Sequence, residues 1–194
     1  MAHIEVRNVS LVYDTPAGQV PGVAGVSFDI ETSEFLCIVG PSGCGKSTLL
    51  NVIAGFLAPT AGEIRIGYPH HLSGGMQQRV AIARALAYNP SVLLMDEPFA
   101  ALDALTRDDM QRLLAEVWRE TRKTVVYVTH NVAEAVYLAD RVVVMTPHPG
   151  MVKTELPIRL PRPRDPLSVE FLDYQKSLLR HLGQDAVAQA GEKR

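Results

Sequence analysis

The stretch G-P-S-G-C-G-K-S, Gly40 to Ser47, limits what this chain can fold into more than any other part of it. It follows the continuously apolar run F-L-C-I-V (35–39) and opens a segment, 46–56, with helical patterning. A buried strand passing through a glycine-rich turn straight into a helix completes the pattern G-x-x-x-x-G-K-[ST] in the setting that gives it meaning. Glycines let backbone N–H groups turn inward around an anion, and the positive end of the following helix faces the same point. Lys46 offers a charge to the β- and γ-phosphates of a nucleotide, and the Ser47 hydroxyl can ligate Mg²⁺. Gly40, Pro41, Ser42, Gly43, Cys44, Gly45, Lys46, Ser47 and Thr48 are therefore expected to cradle nucleotide phosphates, with Cys44 as a small filler rather than a reactive thiol.

The surrounding pattern predicts the sheet that such a loop needs. V-L-L-M (92–95), T-V-V-Y-V (124–128) and R-V-V-V-M (141–145) are apolar throughout and bounded by polar or turn residues. Runs of this kind are strands buried on both faces in a parallel sheet. Residues 3–13 and 23–30 instead alternate, as half-buried strands do, with P-A-G-Q-V-P-G between them as a turn region. Helices are expected at 46–56, 73–88 and 103–122, the last with Met110, Leu113, Leu114 and Val117 on one face. A shorter helix begins near Asn131, where N-x-x-E (Asn131, Glu134) resembles a capping box. Buried strands alternating with helices predict an α/β fold with a mainly parallel sheet and an N-terminal antiparallel β part, ligands binding at the carboxyl ends of the parallel strands. The Pro-rich L-P-R-P-R-D-P (160–166) reads as a linker to an amphipathic helix near 167–182.

Two of these strand ends carry acid or base groups. V-L-L-M-D-E closes with Asp96, expected in a Mg²⁺ shell, and Glu97, placed to orient or activate an attacking water. T-V-V-Y-V-T-H closes with His130, expected to contact a γ-phosphate. L-S-G-G-M-Q-Q-R, Leu72 to Arg79, offers bare N–H groups and the Ser73 hydroxyl at a helix start, a second anion site. One phosphate loop and one extra anion site suggest two copies of the chain sharing each nucleotide.

Taken together, G-P-S-G-C-G-K-S-T, L-S-G-G-M-Q-Q-R, L-L-M-D-E-P-F-A-A-L-D and V-T-H resemble the nucleotide-binding subunits of ABC transporters, over residues 3 to about 150. The resemblance implies a P-loop ATPase core, ATP and Mg²⁺ as ligands, and a head-to-tail dimer sandwiching two ATP molecules. It implies that Ser73, Gly74 and Gly75 meet the γ-phosphate held by the other subunit. Ala101-Leu102-Asp103 would be the loop linking the two sites, and Tyr13 would stack on adenine. The wording D-E-P-F-A-A-L-D-A-L-T-R, T-P-H-P-G and L-P-R-P-R-D looks most like the nitrate/sulfonate/taurine importer branch. Membrane permease subunits, and indirectly a periplasmic substrate-binding protein, are the implied partners.

One departure stands out. In the family, the strand matching G-E-I-R-I-G is followed by a core strand, a glutamine-bearing loop and most of a helical subdomain before L-S-G-G. Here Lys46 and Ser73 are only 27 positions apart, and no Gln lies between Val20 and Gln77. The five residues Tyr68 to Leu72 span about 17 Å at most, enough to close the chain. The strand flanking Val92 would be missing and its edge left bare. The sequence thus reads as residues 1–150, a nucleotide-binding domain with an internal deletion between about 67 and 68, and 151–194, a C-terminal extension.

Composition sets the remaining bounds. In 194 residues the net charge is −2 with both signs interspersed, so no footprint for nucleic acid is visible. Cys37 and Cys44 suggest no disulfide framework, and M-A-H-I-E-V-R lacks a signal-peptide pattern. The expected place is cytoplasmic, peripheral on the inner face of the membrane. The leading expectation is an ATP-hydrolysing subunit energising import of a small anion. The alternatives are a nucleotide-binding chain defective in coupling or turnover, and a non-transport ABC ATPase.

Overall fold

The computed structural model describes residues 2–66 and 90–191. The central strand is β3 (Phe35–Val39), every residue of which is buried. Its side chains alternate between two cores, as the period of a strand requires. Phe35, Cys37 and Val39 enter one apolar cluster; Leu36 and Ile38 enter the other. Parallel neighbours β6 (Thr124–Val128) and β7 (Arg141–Met145) flank β3, β5 (Val92–Asp96) lies beyond β6, and β8 (Val152–Pro157) closes the far side antiparallel to β7. The apolar runs of β3 and β6 are buried throughout and that of β7 nearly so, whereas on β5 Val92 and Leu94 are only half-buried, short of the two-sided cover expected for it.

The two covers differ in kind. On one face lie α1 (Lys46–Ile53) and an antiparallel sheet of β1 (Ala2–Thr15), β2 (Gly18–Glu31) and β4 (Ala61–Ile66), in the order β2-β1-β4. Ile4, Val6, Val26, Phe28 and Ile30 meet Leu49, Val52 and Ile53 there. On the other face lie α2 (Ala104–Thr121), α3 (Val132–Leu138) and α4 (Val169–Gly191), which contribute Leu114, Trp118, Ala135, Leu138, Phe171 and Leu178. The alternating strands of the sequence are those with a single buried face.

Four local expectations need correction. Only Pro16 and Ala17 turn between β1 and β2; Gly18, Gln19 and Val20 already pair with Thr15, Asp14 and Tyr13. This end of the hairpin is exposed, so its polar residues carry no burial signal. On α2 the deepest residues are Gln111, Leu114 and Trp118, with Met110 and Val117 beside them. Trp118 sits edge-on to Phe35 at 5.9 Å and donates Nε1–H to the Lys123 carbonyl at 2.9 Å. The capping box at α3 is half formed. Asn131 Oδ1 accepts from the N–H groups of Ala133 (2.9 Å) and Glu134 (3.4 Å), but the Asn131 N–H goes to Thr129 Oγ1. Glu134 turns inward instead, for a reason given below.

The 160–166 segment is no loose linker either. Arg164 is buried and its guanidinium donates to the carbonyls of Val136 (2.8 Å), Ala139 (2.7 Å), Leu160 (3.2 Å) and Ile158 (3.2 Å). A helix leaves its last carbonyls without intrahelical donors, and here a cation meets them. Burial, with Arg162 adding repulsion, lowers its pKa to about 10, so it stays charged at neutral pH. On either side of it in the chain, Ile158, Phe171 and Leu178 join the core that Phe35, Cys37 and Val39 enter.

The start of α2 yields a pH-dependent expectation. Asp103 is its N-cap, accepting from the Thr106 N–H at 3.1 Å. Hydrogen bonds from Thr106, side chain first and backbone second, hold its carboxyl below the usual range. A depressed carboxylate contributes stability above its unfolded pKa of about 3.9 and loses it as pH falls through the folded value. Asp103→Ala is expected to lower Tm at pH 7, the gap from the parent closing as pH drops below about 4. Thermal melts across that range check it; a gap independent of pH contradicts it.

Candidate nucleotide site

The loop after β3 is closed tightly around Lys46. Gly45 caps α1 with φ +97°, and a Cβ there would come within 2.4 Å of the Gly22 carbonyl oxygen, so only glycine fits. No side chain caps this helix start. The N–H groups of its first turn therefore have no capping side chain, and Lys46, Ser47 and Thr48 line the cleft, an arrangement that can receive an anion. Lys46 is buried and its Nζ donates to the carbonyls of Gly40 and Pro41, both at 3.0 Å. An ammonium has three protons. Two brace the loop, and the third meets only Cys44 Sγ at 4.0 Å, a weak contact that an anion can displace. Cys44 is buried beneath the loop, and that burial pushes its thiol above the ordinary value against the pull of Lys46. It is a neutral filler, as the sequence suggests.

Adjacent strands bring the acid and base groups to the same edge. Asp96 ends β5 opposite Val128 of β6, and the Glu97 N–H extends that pairing to the Val128 carbonyl at 2.9 Å. Glu97 is held at φ +43°, uncommon for a residue with a side chain, and this turn carries its carboxylate off the line of the strand. Glu97 Oε2 lies 2.8 Å from His130 Nδ1. With an ionised Glu97 accepting, Nδ1 carries the proton and Nε2 is left as the free nitrogen. The sequence places both residues at strand ends; their direct hydrogen bond emerges only in the fold.

Beneath this pair is a buried polar network. Glu134 accepts from Tyr127 Oη at 2.9 Å and Thr129 Oγ1 at 2.8 Å. Burial first, then Glu134, pushes the Tyr127 phenol far up, so it remains a donor. Arg107 lies 3.8 Å from Glu134 and donates to the carbonyls of Phe99 (3.4 Å) and Leu102 (2.7 Å). One carboxylate therefore ties the 97–103 loop to the end of β6. A buried charge needs such partners, which explains why Glu134 does not cap its own helix.

Tyr13, Ser42, Gly43, Gly45, Lys46, Ser47, Thr48 and Glu97 share an open cleft of about 340 Å³. Tyr13 packs its ring against Gly22 and its hydroxyl lies 3.0 Å from Thr48 Oγ1. His130 joins this group through Glu97. Asp103 caps α2. Ser73, Gly74 and Gly75 lie outside the described residues. The cleft also includes His148, which sequence reasoning missed. T-P-H-P-G carries no spacing that marks a ligand; only the β7–β8 turn brings it to the loop.

The profile of the ABC transporter family matches residues 23–69 and 65–100. An uncharacterized ABC transporter ATP-binding protein of Methanocaldococcus jannaschii is 38% identical over 242 aligned residues, covering 92% of this chain and 91% of the relative. A taurine import ATP-binding protein of a Jannaschia species is 36% identical, covering 91% and 89%. Among solved structures, the dimeric structure of a bacterial ABC transporter cassette superposes with a TM-score of 0.69 at 28% identity, over 81% of this chain and 99% of that one. The loop, the paired strand ends and these relatives lead to one conclusion: the chain belongs to the ATP-binding proteins of ABC transporters.

Proposed function

We propose that this chain binds and hydrolyses ATP as the energising subunit of an importer for a small anion of the nitrate, sulfonate or taurine type. The observation that carries the reading is the convergence of the Gly40–Ser47 loop, Tyr13 and Glu97 on one cleft. The taurine import protein among the relatives supports the substrate class. No helix among the described residues is long and apolar enough to cross a membrane. The chain works at the cytoplasmic face against permease subunits, which receive substrate from a periplasmic binding protein.

Lys46 and the α1 N–H groups hold the β- and γ-phosphates, and Tyr13 packs on the adenine. Mg²⁺ would be held by Ser47 and Asp96, both exposed oxygen donors at ends of adjoining elements, which suits a hard cation that also keeps phosphate and water ligands. That ion would supply charge neutralisation at the β- and γ-oxygens. Glu97 orients a water for in-line attack on the γ-phosphorus and takes its proton as the bond to the β,γ-bridging oxygen breaks. His130, fixed by Glu97, meets the γ-phosphate through its outer nitrogen. Ser73, Gly74 and Gly75 of a second, head-to-tail copy would close on the same phosphate.

A second reading rests on a separate observation. The family profile matches in two pieces that meet at 65–69, and the first relative aligns over 242 positions against a chain of 194. Among the described residues β5 has a neighbour on one side only, and its Val92 and Leu94 are half-buried where β3 and β6 are buried throughout. These support an internal deletion between about 67 and 68 that removes the glutamine loop, a flanking strand and most of the helical subdomain. On this reading the chain binds ATP but couples poorly to a permease. Residues 151–194 would be an extension packed on the 1–150 ATPase domain.

Three outcomes follow. Lys46→Ala removes a charge-assisted hydrogen bond and is expected to weaken ATP binding by roughly 1.5–3 kcal/mol; titration with a fluorescent ATP analogue measures it, and unchanged affinity contradicts the phosphate role. Glu97→Gln keeps shape and hydrogen bonding but loses the proton acceptor, so steady-state turnover is expected to vanish with ATP still bound; turnover at the parental rate removes Glu97 from the chemistry. Reconstituted with cognate permease subunits in vesicles, this chain is expected to give little ATP-driven uptake, whereas stable assembly with uptake at full-length rates rules out the coupling defect.

A further inference from the structure

The order β5-β6-β3-β7-β8 places the phosphate loop, which leaves β3, between two different neighbours. On the β6 and β5 side stand His130 and Glu97, the γ-phosphate end of the proposed site. On the β7 side stands the turn 146–150, and it is built to hold one position. The Ala24 N–H donates to the Gly150 carbonyl at 3.0 Å, and Gly150 pairs with Val23 of β2. Inside the turn, Thr146 Oγ1 donates to the Pro149 carbonyl at 3.1 Å and accepts from the Met151 N–H at 3.0 Å. Gly150 approaches the loop so closely that a Cβ there would lie 1.8 Å from the Cys44 carbonyl oxygen.

This anchored turn holds an exposed His148 at the wall of the cleft that Tyr13 and Thr48 also line. The same β2 segment, Gly22–Val23, touches both Tyr13 and the 150 end of the turn. His148 lines the same cleft as Tyr13 and Glu97, but its turn leaves β7, on the other side of β3 from the strands that carry Glu97 and His130, and is anchored to the β2 segment that Tyr13 packs on.

Resting on the nucleotide reading above, we infer that His148 is a nucleoside-recognition residue, packing on and hydrogen-bonding the base or ribose rather than serving the γ-phosphate. An imidazole has a flat face for a base or sugar and a nitrogen at its edge for a hydroxyl or ring nitrogen. Such a contact is common to ATP and ADP and absent from a bare polyphosphate.

The test compares Kd for Mg-ATP, Mg-ADP and Mg-tripolyphosphate on the parent chain, His148→Ala, His148→Gln and Lys46→Ala, each shown to melt cooperatively. His148→Ala is expected to weaken ATP and ADP alike, by about 5–10-fold for one hydrogen bond with packing, and to leave tripolyphosphate unchanged. His148→Gln, which keeps an edge donor, is expected to recover part of the loss. Unchanged ATP affinity in His148→Ala overturns the inference, and so does an equal loss for tripolyphosphate. If Lys46→Ala loses all three ligands while His148→Ala loses none, the nucleotide reading stands and the His148 inference alone fails. If the parent binds none of them, both fall.

Discussion

The two-sided burial of β3 is the constraint on which the rest of the structure depends. A strand whose Phe35, Cys37 and Val39 enter one core, and whose Leu36 and Ile38 enter another, cannot slide or rotate without exposing one set. A one-residue slip would send every side chain to the wrong face. Fixing Val39 fixes the take-off of the Gly40–Gly45 loop, and α1, packed through Leu49, Val52 and Ile53, fixes its landing. The phosphate loop is thus a short bridge between two immovable ends.

The neighbours of β3 then decide the chemistry at either side of that bridge. β5 and β6 deliver Glu97 and His130 as a hydrogen-bonded pair, and the buried Glu134 beneath them ties Tyr127, Thr129 and Arg107 together. Because Arg107 also grips the carbonyls of Phe99 and Leu102, a shift of the 97–103 loop would disturb the charge balance under β6. Such a buried network is costly when partly satisfied, which makes this loop a stiff lever rather than a slack connection.

Much of this was legible in the sequence because it rests on local pattern. β3 and β6 carry the predicted bounds, 35–39 and 124–128, since burial on both faces leaves an unbroken apolar run. The Gly40–Ser47 loop was legible because its geometry demands particular residues at particular spacings. What stayed hidden depends on long-range partners. Glu134 reads as a capping residue until Tyr127 and Thr129 claim it, and Arg164 reads as linker until the carbonyls of Val136 and Ala139 enclose it. His148 has no local signature at all; it reaches the cleft only because β7 lies beside β3.

The same sheet bears on the short join after Ile66. Of the parallel strands in that sheet β5 has the thinnest cover, pairing only with β6 among the described residues, yet Asp96 ends it and Glu97 follows. The central claim is that the residues present suffice to fold this core and hold ATP, whichever of the two proposed readings holds. Isothermal titration of Mg-ATP into the purified chain tests that most directly. The account predicts saturable binding at one site per chain; a cooperatively folded chain that shows no saturable binding contradicts it.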